Sequence, residues 1–267
     1  TILSIIFLCG IALGRINNLE NGPAFSINSS CRDPTTRREW RTLSEGDRLK
    51  YIEAVQCLRT LPSRLGLDQS LYDDFPYVHS RFGNYCMFPT FGLCSLSQLN
   101  KVELAHNTDD FLVWHRYFIH IYETALRGQC EYSGHLAYWD WSLDWENIAK
   151  SPVWDSAYGF GGNGNISSSK SVAYGHCVTD GAFAYLTALY FGEQNKKQCL
   201  SRGFITEGEA RKKGFYNSPD VIKEMLRISE YRLFSSTLET NAHNSIPLIV
   251  RGDFYKVTAP YGKSFCS

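Results

Sequence analysis

The chain has 267 residues, which is long enough for one hydrophobic core with long connections. Its 27 lysines and arginines balance 27 aspartates and glutamates, and this zero net charge argues against nucleic acid or an anionic membrane surface as the main partner. Aromatic residues make up 14% of the chain, which is typical of a compact core and also suits a pocket for a planar substrate.

The chain begins with an apolar run, residues 1–14, that is short for a membrane span and fits the central region of a secretory signal. A buried N-terminal strand is the alternative, but polar, turn-rich sequence follows at once and favours the signal. Residues 15–30 are predicted to be a linker to one domain over residues 31–267. The N-x-S/T sequons at Asn28 and Asn165 agree with export. We therefore expect a secreted glycoprotein.

Cysteine usage indicates the same compartment. Nine cysteines occur, and removal of Cys9 with the signal leaves an even set, which predicts disulfides in an oxidising environment. The sequence leaves their connectivity open, and the absence of a C-x-x-C pair disfavours a thiolate zinc site. The eight remaining cysteines are Cys31, Cys57, Cys86, Cys94, Cys130, Cys177, Cys199 and Cys266.

The first half of the chain predicts two helices and a loop. Residues 45–59 carry an apolar stripe at helical spacing, and Ser44 is placed to cap that helix. A second helix is predicted over residues 69–82, where it carries His79 and is interrupted by a proline. Residues 81–103 have no clear period and predict a long loop.

The clearest helix signal covers residues 108–127, with Thr108 as the predicted N-cap, Gly128 as the predicted end and His115 on the apolar face. The glycine-rich stretch 159–164 is not preceded by a strand and lacks the Lys-Ser/Thr of a phosphate loop, so nucleotide binding is not expected. Shorter helices are predicted over residues 181–190, 219–227 and 230–240.

Three of the seven histidines lie in one region. His79 is on the second predicted helix, His106 precedes the third helix, and His115 lies within it. Two helices and a connecting segment can bring three imidazoles to one point, and imidazole binds copper, zinc, iron and nickel. A packed, hydrogen-bonded core histidine is the alternative for each of them, and the spacing alone leaves both interpretations open.

The segment His106–Phe118, HNTDDFLVWHRYF, resembles the first copper-binding motif of the tyrosinases, in which a histidine and a short loop precede W-H-R and an aromatic residue. The resemblance continues in YWDW at residues 138–141, in GFGGNG at residues 159–164 and in AHNSIP at residues 242–247. It covers about residues 31–261 and is strongest to fungal secreted tyrosinase-like proteins.

The resemblance implies a mainly α fold, with a four-helix core, long loops and disulfides, that holds the two coppers of a type-3 site. Such proteins bind O2 between the metals and oxidise phenols or catechols to quinones. Carried over by position, His79, His106 and His115 would bind the first copper. Glu123, about two turns beyond His115, is a candidate to support a ligand by a hydrogen bond, and an ordinary surface or core carboxylate is the alternative.

The second copper site is predicted to be partial. His243 occupies the position of its first ligand, but the typical second ligand, four residues later, is here Pro247, and no histidine follows His243. The resemblance therefore predicts one complete copper site in a domain that is incomplete at its C-terminus. Asn244 matches a position thought in the family to help activate a water or a substrate proton.

Several residues are expected to stand outside the metal chemistry. The resemblance gives no ligand role to His120, His135 or His176, which are predicted to be core or surface residues. Some relatives link a cysteine to a copper ligand by a thioether, but for Cys86 and Cys94 a disulfide is the prediction because no Cys-x-His pair occurs.

Three hypotheses about function follow. The first is a copper oxidoreductase acting on a small phenol and O2. The second is a non-catalytic copper-binding protein that retains only the first site. The third is a mononuclear zinc hydrolase, because three histidines and a water form a common catalytic zinc site, although no H-E-x-x-H motif is present to supply its general base.

Overall fold

A computed structural model of the chain describes residues 36–82, 105–191 and 195–256. The predicted signal, the linker and the sequon at Asn28 lie outside the described residues, as does most of the predicted loop over residues 81–103. The same holds for Cys31, Cys86, Cys94 and Cys266.

The described residues form a mainly helical fold with little strand, and the prediction of a mainly α, disulfide-stabilised protein is confirmed. None of the described helices combines the length and the apolarity that a membrane-spanning segment needs. The helices are α1 (Glu45–Leu58), α2 (Leu71–Phe82), α3 (Phe111–Gln129), α4 (Glu207–Gly214), α5 (Pro219–Met225), α6 (Tyr231–Leu238) and α7 (Asn244–Val250). The strands are β1 (His176–Cys177), β2 (Thr187–Phe191), β3 (Asn195–Cys199) and β4 (Ser201–Arg202).

Helix α1 forms as predicted. The Ser44 hydroxyl accepts a hydrogen bond from the Asp47 backbone amide at 3.1 Å, which satisfies one of the free amides at the start of the helix. One face of α1 buries Tyr51, Val55 and Leu58, and the helix packs against both α2 and α3.

Helix α2 is continuous, so the predicted interruption by Pro76 is wrong. Pro76 lies in the second turn with a buried side chain, and the packing of this face outweighs the loss of one backbone donor. The connection from α1 is fixed by buried Asp74, which accepts hydrogen bonds from the Ser63 hydroxyl at 2.6 Å and the Arg64 amide at 2.8 Å. The last turn of α2 thereby carries His79 into the interior, where it is 4% exposed.

Helix α3 begins at Phe111, three residues after the predicted cap. Thr108 instead accepts from the Asp110 amide at 3.3 Å within the preceding turn. The helix passes the predicted end at Gly128 by one residue, and the Cys57–Cys130 disulfide joins its end to the end of α1.

The predicted helix over residues 181–190 is wrong, because Thr187–Phe191 is strand β2, paired antiparallel with β3. Burial from Leu186 to Ala188 alternates between buried and exposed, which is the period of a strand. A short antiparallel pair, β1 and β4, lies beside it, and the Cys177–Cys199 disulfide links β1 to β3. The pairing with β3, which the local sequence does not predict to be a strand, makes β2 extended and not helical.

The glycine-rich stretch 159–164 is held by Arg202, which is 1% exposed. Its guanidinium donates to the carbonyl oxygens of Phe160, Gly161 and Gly162 at 2.7–2.9 Å. A side chain at Gly164 would lie 2.1 Å from the His176 carbonyl oxygen, so this glycine allows close backbone contact. The stretch is a packed structural loop.

The helices in the second half of the chain include an unusual turn. Helices α5 and α6 form close to their predicted positions, and α4 was not predicted. A π-helical turn, Glu239–His243, joins α6 to α7. Pro247 lies inside α7, where it has no amide to donate to the carbonyl of His243 four residues earlier.

Candidate metal centre

The structure brings the rings of His79, His106 and His115 to one point. One potential ligand nitrogen from each lies within 4.8 Å of the others, and within the described ranges this is the one group of histidine, cysteine and carboxylate side chains with metal-site geometry. The ring centroids of His79 are 4.9 Å from His106 and 5.6 Å from His115, and the latter two are 5.1 Å apart. The spacing is suited to one ion.

Local structure explains the position of His115. Its Nδ1 lies 2.8 Å from the backbone carbonyl oxygen of Phe111, one turn earlier in α3. A carbonyl only accepts, so this contact assigns the proton to Nδ1 and leaves Nε2 with the lone pair that a metal ligand needs. The ring is thus oriented by its own helix.

His106 lies in the turn before α3, and its position depends on the next residue. Asn107 has a left-handed backbone with φ of 53°, and its amide donates to both carboxylate oxygens of Glu239, at 2.9 and 3.0 Å. Glu239 is 3% exposed. A buried carboxylate on the π-helical turn therefore holds the segment that carries His106.

Aromatic rings wall the three histidines. Phe111 is 4% exposed, and its ring centroid lies 4.7 Å from that of His115 and 6.0 Å from that of His106. Trp114 lies 5.8 Å from His79, and it stacks on Phe118 at 5.0 Å. These rings pack directly against the three imidazoles, of which His79 is buried and His106 and His115 are half-buried.

His243 lies beside this cluster without joining it. Its ring centroid is 5.9 Å from His106, 6.4 Å from His115 and 5.2 Å from Phe111. Its Nδ1 lies 3.0 Å from the Asn244 side-chain oxygen, and this contact helps to orient the ring. The structure therefore places the predicted second-site histidine next to the three-histidine group.

Of the two interpretations of Glu123, support of a metal ligand and an ordinary carboxylate, the contacts in the structure favour the second. Glu123 accepts hydrogen bonds from His135 Nδ1 at 3.0 Å and from Arg37 at 3.2 Å. Burial raises the pKa of Glu123, but the hydrogen bond from His135 and the charge of Arg37 outweigh it and hold that pKa below its usual range. This carboxylate joins α3 to Arg37, which precedes the helix in the sequence, and to His135, which follows it.

The other histidines lie outside the cluster, as expected. His120 is exposed on the outer side of α3. His176 lies in β1, and its Nδ1 is 3.3 Å from the Ser168 carbonyl oxygen. Sequence reasoning overlooked Glu239 and the role of Phe111. The only available signal for Glu239 was its position one helical turn before His243.

Comparison with known proteins identifies the family to which this geometry belongs. Residues 69–263 match the family model described as the common central domain of tyrosinase. The chain belongs to the tyrosinase family.

Its relatives are fungal. The tyrosinase-like protein phomQ2 of Diaporthe leptostromiformis is 36% identical over 88% of this chain and 55% of its own length. Tyrosinase ustQ of Aspergillus flavus is 33% identical over 96% of this chain and 67% of its own length. A solved polyphenol oxidase from Thermothelomyces thermophila superimposes with a TM-score of 0.66 at 25% identity, over 85% of this chain and 65% of that one. The chain thus spans about half to two thirds of the length of these three proteins.

Membership of the tyrosinase family makes copper the expected metal. The three-histidine group fits it, because every ligand atom on offer is an imidazole nitrogen and imidazole suits copper. The orientation of His115 by a backbone carbonyl is the outer hydrogen bond that metal-binding histidines usually make. The chemistry of the residues and the family agree.

Proposed function

We propose that His79, His106 and His115 bind a copper ion and that the chain belongs to an oxidoreductase that converts phenols or catechols to quinones with O2. The supporting observation is the convergence of three imidazole nitrogens within 4.8 Å of one another. Membership of the tyrosinase family supplies the choice of copper and of the reaction class. We further propose that one copper-binding domain occupies the chain from residue 31 onward.

The residues of this chain prepare the site in two ways. Bound copper would supply the one-electron chemistry with O2 that side chains lack. The Phe111 carbonyl sets the tautomer of His115, and the Asn244 side chain contacts Nδ1 of His243. The rings of Phe111 and Trp114 provide flat apolar walls of the kind that orient a planar phenol.

His243 is proposed as a ligand of a second copper. Its ring lies beside the first group, with its centroid 5.9 Å from that of His106 and 5.2 Å from that of Phe111. Pro247 occupies the place where family members typically carry the next ligand, so this chain offers one imidazole there. A non-catalytic protein that uses only the first copper site is the second candidate, and this observation favours it.

Metal analysis with ligand variants tests the proposal. The protein is loaded with Cu(I) under anaerobic conditions, desalted and assayed for copper per chain, and catechol oxidation is followed by quinone absorbance. We expect copper to be lost in His79→Ala, His106→Ala and His115→Ala. His120→Ala, on the exposed side of the same helix as His115, is the matched control and should bind copper as the parent does.

The outcomes separate the candidates. Copper binding that persists in all three ligand variants would disprove the proposed site. One copper per chain without quinone formation would support the non-catalytic protein, whereas a second copper that is lost in His243→Ala would support the oxidase. Retention of zinc with refusal of copper would favour the hydrolase hypothesis.

Export to an oxidising compartment is also proposed. It is supported by the Cys57–Cys130 and Cys177–Cys199 disulfides and by the sequon at Asn165, an exposed residue. Secretion from a fungal host should yield protein whose mass falls on treatment with an N-glycosidase. Asn165→Gln should lose that part of the mass shift, and an unchanged mass in the parent would argue against a glycan.

A further inference from the structure

Glu239 is the buried acidic residue that connects the two halves of the metal centre. It begins the π-helical turn Glu239–His243 and is 3% exposed, although glutamate is almost never fully buried without a specific partner. Both of its carboxylate oxygens accept from the Asn107 amide, at 2.9 and 3.0 Å. The buried carboxylate therefore attaches the Asn107 amide to the π-helical turn.

The attachment point has a left-handed backbone. Asn107 has φ of 53°, a conformation that asparagine adopts more readily than most side-chain-bearing residues. Asn107 directly follows His106, so the turn that Glu239 stabilises also sets the direction of the His106 ring. Without the carboxylate, the backbone would be free to relax to a right-handed conformation and carry His106 away from His79.

The other end of the attachment is the helix of His243. Glu239 precedes His243 by four residues, and their side chains emerge from nearby positions around one helical turn. The ring of His243 lies 5.9 Å from that of His106. One carboxylate therefore joins the segment that carries His106 to the turn that carries His243, two places that are far apart in the sequence.

We propose that Glu239 is a positioning residue that fixes His106 against His79 and His115, acting through the Asn107 amide. This inference rests on the proposed function for the identity of the metal. The hydrogen bond itself is a property of the protein and can be observed without a metal.

The test compares three substitutions of Glu239 in the full chain. Glu239→Gln keeps a side-chain oxygen at the same distance, so it should bind copper within a few-fold of the parent. Glu239→Asp withdraws the carboxylate by one methylene and Glu239→Ala removes it. Both should weaken copper binding, measured by competition with a chelator, by roughly tenfold or more, the usual effect of losing an outer partner of a ligand. The electron paramagnetic resonance spectrum of bound Cu(II) should change in the same two variants.

Glu230, the residue that caps the start of α6, the helix just before the π-helical turn, provides a matched control. Its carboxylate accepts from the backbone amides of Arg232 and Leu233 at 2.9 and 2.6 Å, at the exposed start of α6. Glu230→Ala should lower the thermal stability of the protein but leave copper affinity and the spectrum unchanged. Asn107→Gly keeps the donor amide and adopts a positive φ without strain, so it should also bind copper as the parent does.

The failures are distinguishable. If the parent protein binds no copper, the proposed function fails, and the attachment is then tested by hydrogen exchange of the Asn107 amide, which should be protected in the parent and in Glu239→Gln but not in Glu239→Asp. If the parent binds copper and Glu239→Asp binds it equally well with the same spectrum, the positioning role is overturned while the metal site stands. A loss of thermal stability in Glu239→Asp without a change in affinity or spectrum would likewise overturn it.

Discussion

Replacing Phe111 by alanine would show how strongly packing shapes the metal centre. The ring is 4% exposed and packs against the rings of both His115 and His243, at 4.7 and 5.2 Å. Truncation of a buried phenylalanine to alanine costs about 3–5 kcal/mol of unfolding free energy. We expect about 4 kcal/mol here, in the middle of that range, because nearly the whole ring is buried. The carbonyl that orients His115 stays in place, so the hydrogen bond should survive and the effect should isolate packing.

Urea unfolding measured by tryptophan fluorescence gives the stability change, and chelator competition gives the copper affinity of the same samples. Phe111→Leu should recover most of the stability, since it refills most of the volume. Phe215→Ala is the control, because that ring is 55% exposed and surface changes cost less than about 0.5 kcal/mol. A stability loss below about 1 kcal/mol for Phe111→Ala would refute the proposed packing, and unaltered copper affinity would refute its link to the site.

Three further predictions concern the scaffold. Replacing Cys57 and Cys130 by serine should lower the unfolding free energy by about 4 kcal/mol in the chain-entropy treatment of a loop of this length, as measured by urea unfolding; an unchanged midpoint would contradict it. Glu123→Gln should flatten the loss of stability in acid. The lowered pKa of Glu123 stabilises the fold above the ordinary value of 4.5, and that contribution is lost as the pH falls through the folded value; identical acid transitions would count against the His135 pairing. Arg202→Met should cost about 3 kcal/mol or more, because three carbonyl groups lose their donor, and a stability equal to the parent's would disprove that role.

Local signals predicted the parts of the fold that local interactions decide. Ser44 caps α1 as the sequence indicates, and the apolar period locates α3 to within three residues at each end. The motif around His106 and His115 is local in the same sense, since a turn and one helix carry both residues. His79 needed the further assumption that α2 packs beside α3.

Nonlocal interactions decide the parts that sequence reasoning missed. Strand β2 exists because β3 pairs with it, and nothing within residues 187–191 excludes a helix. Pro76 stays within α2 because the helix face around it is buried. Glu123 meets Arg37 and His135, which are 86 and 12 residues away in the sequence, and its partners could not be chosen from helical spacing alone.

Glu239 shows the same limit at the candidate site. A glutamate one turn before a histidine is a common helical pattern, and the contact of Glu239 with Asn107 joins residues 132 positions apart. The π-helical turn before Pro247 could not be predicted from the sequence either, because a proline in a helix is compatible with a kink, an end or an inserted residue. The second-site role of His243 stays a prediction.

The most direct test of the central claim is anomalous diffraction at the copper absorption edge, from crystals of the full chain grown with copper. A peak is predicted at the point enclosed by the imidazole nitrogens of His79, His106 and His115, at coordination distance from all three. An empty position there, with copper bound elsewhere or absent, would contradict the account.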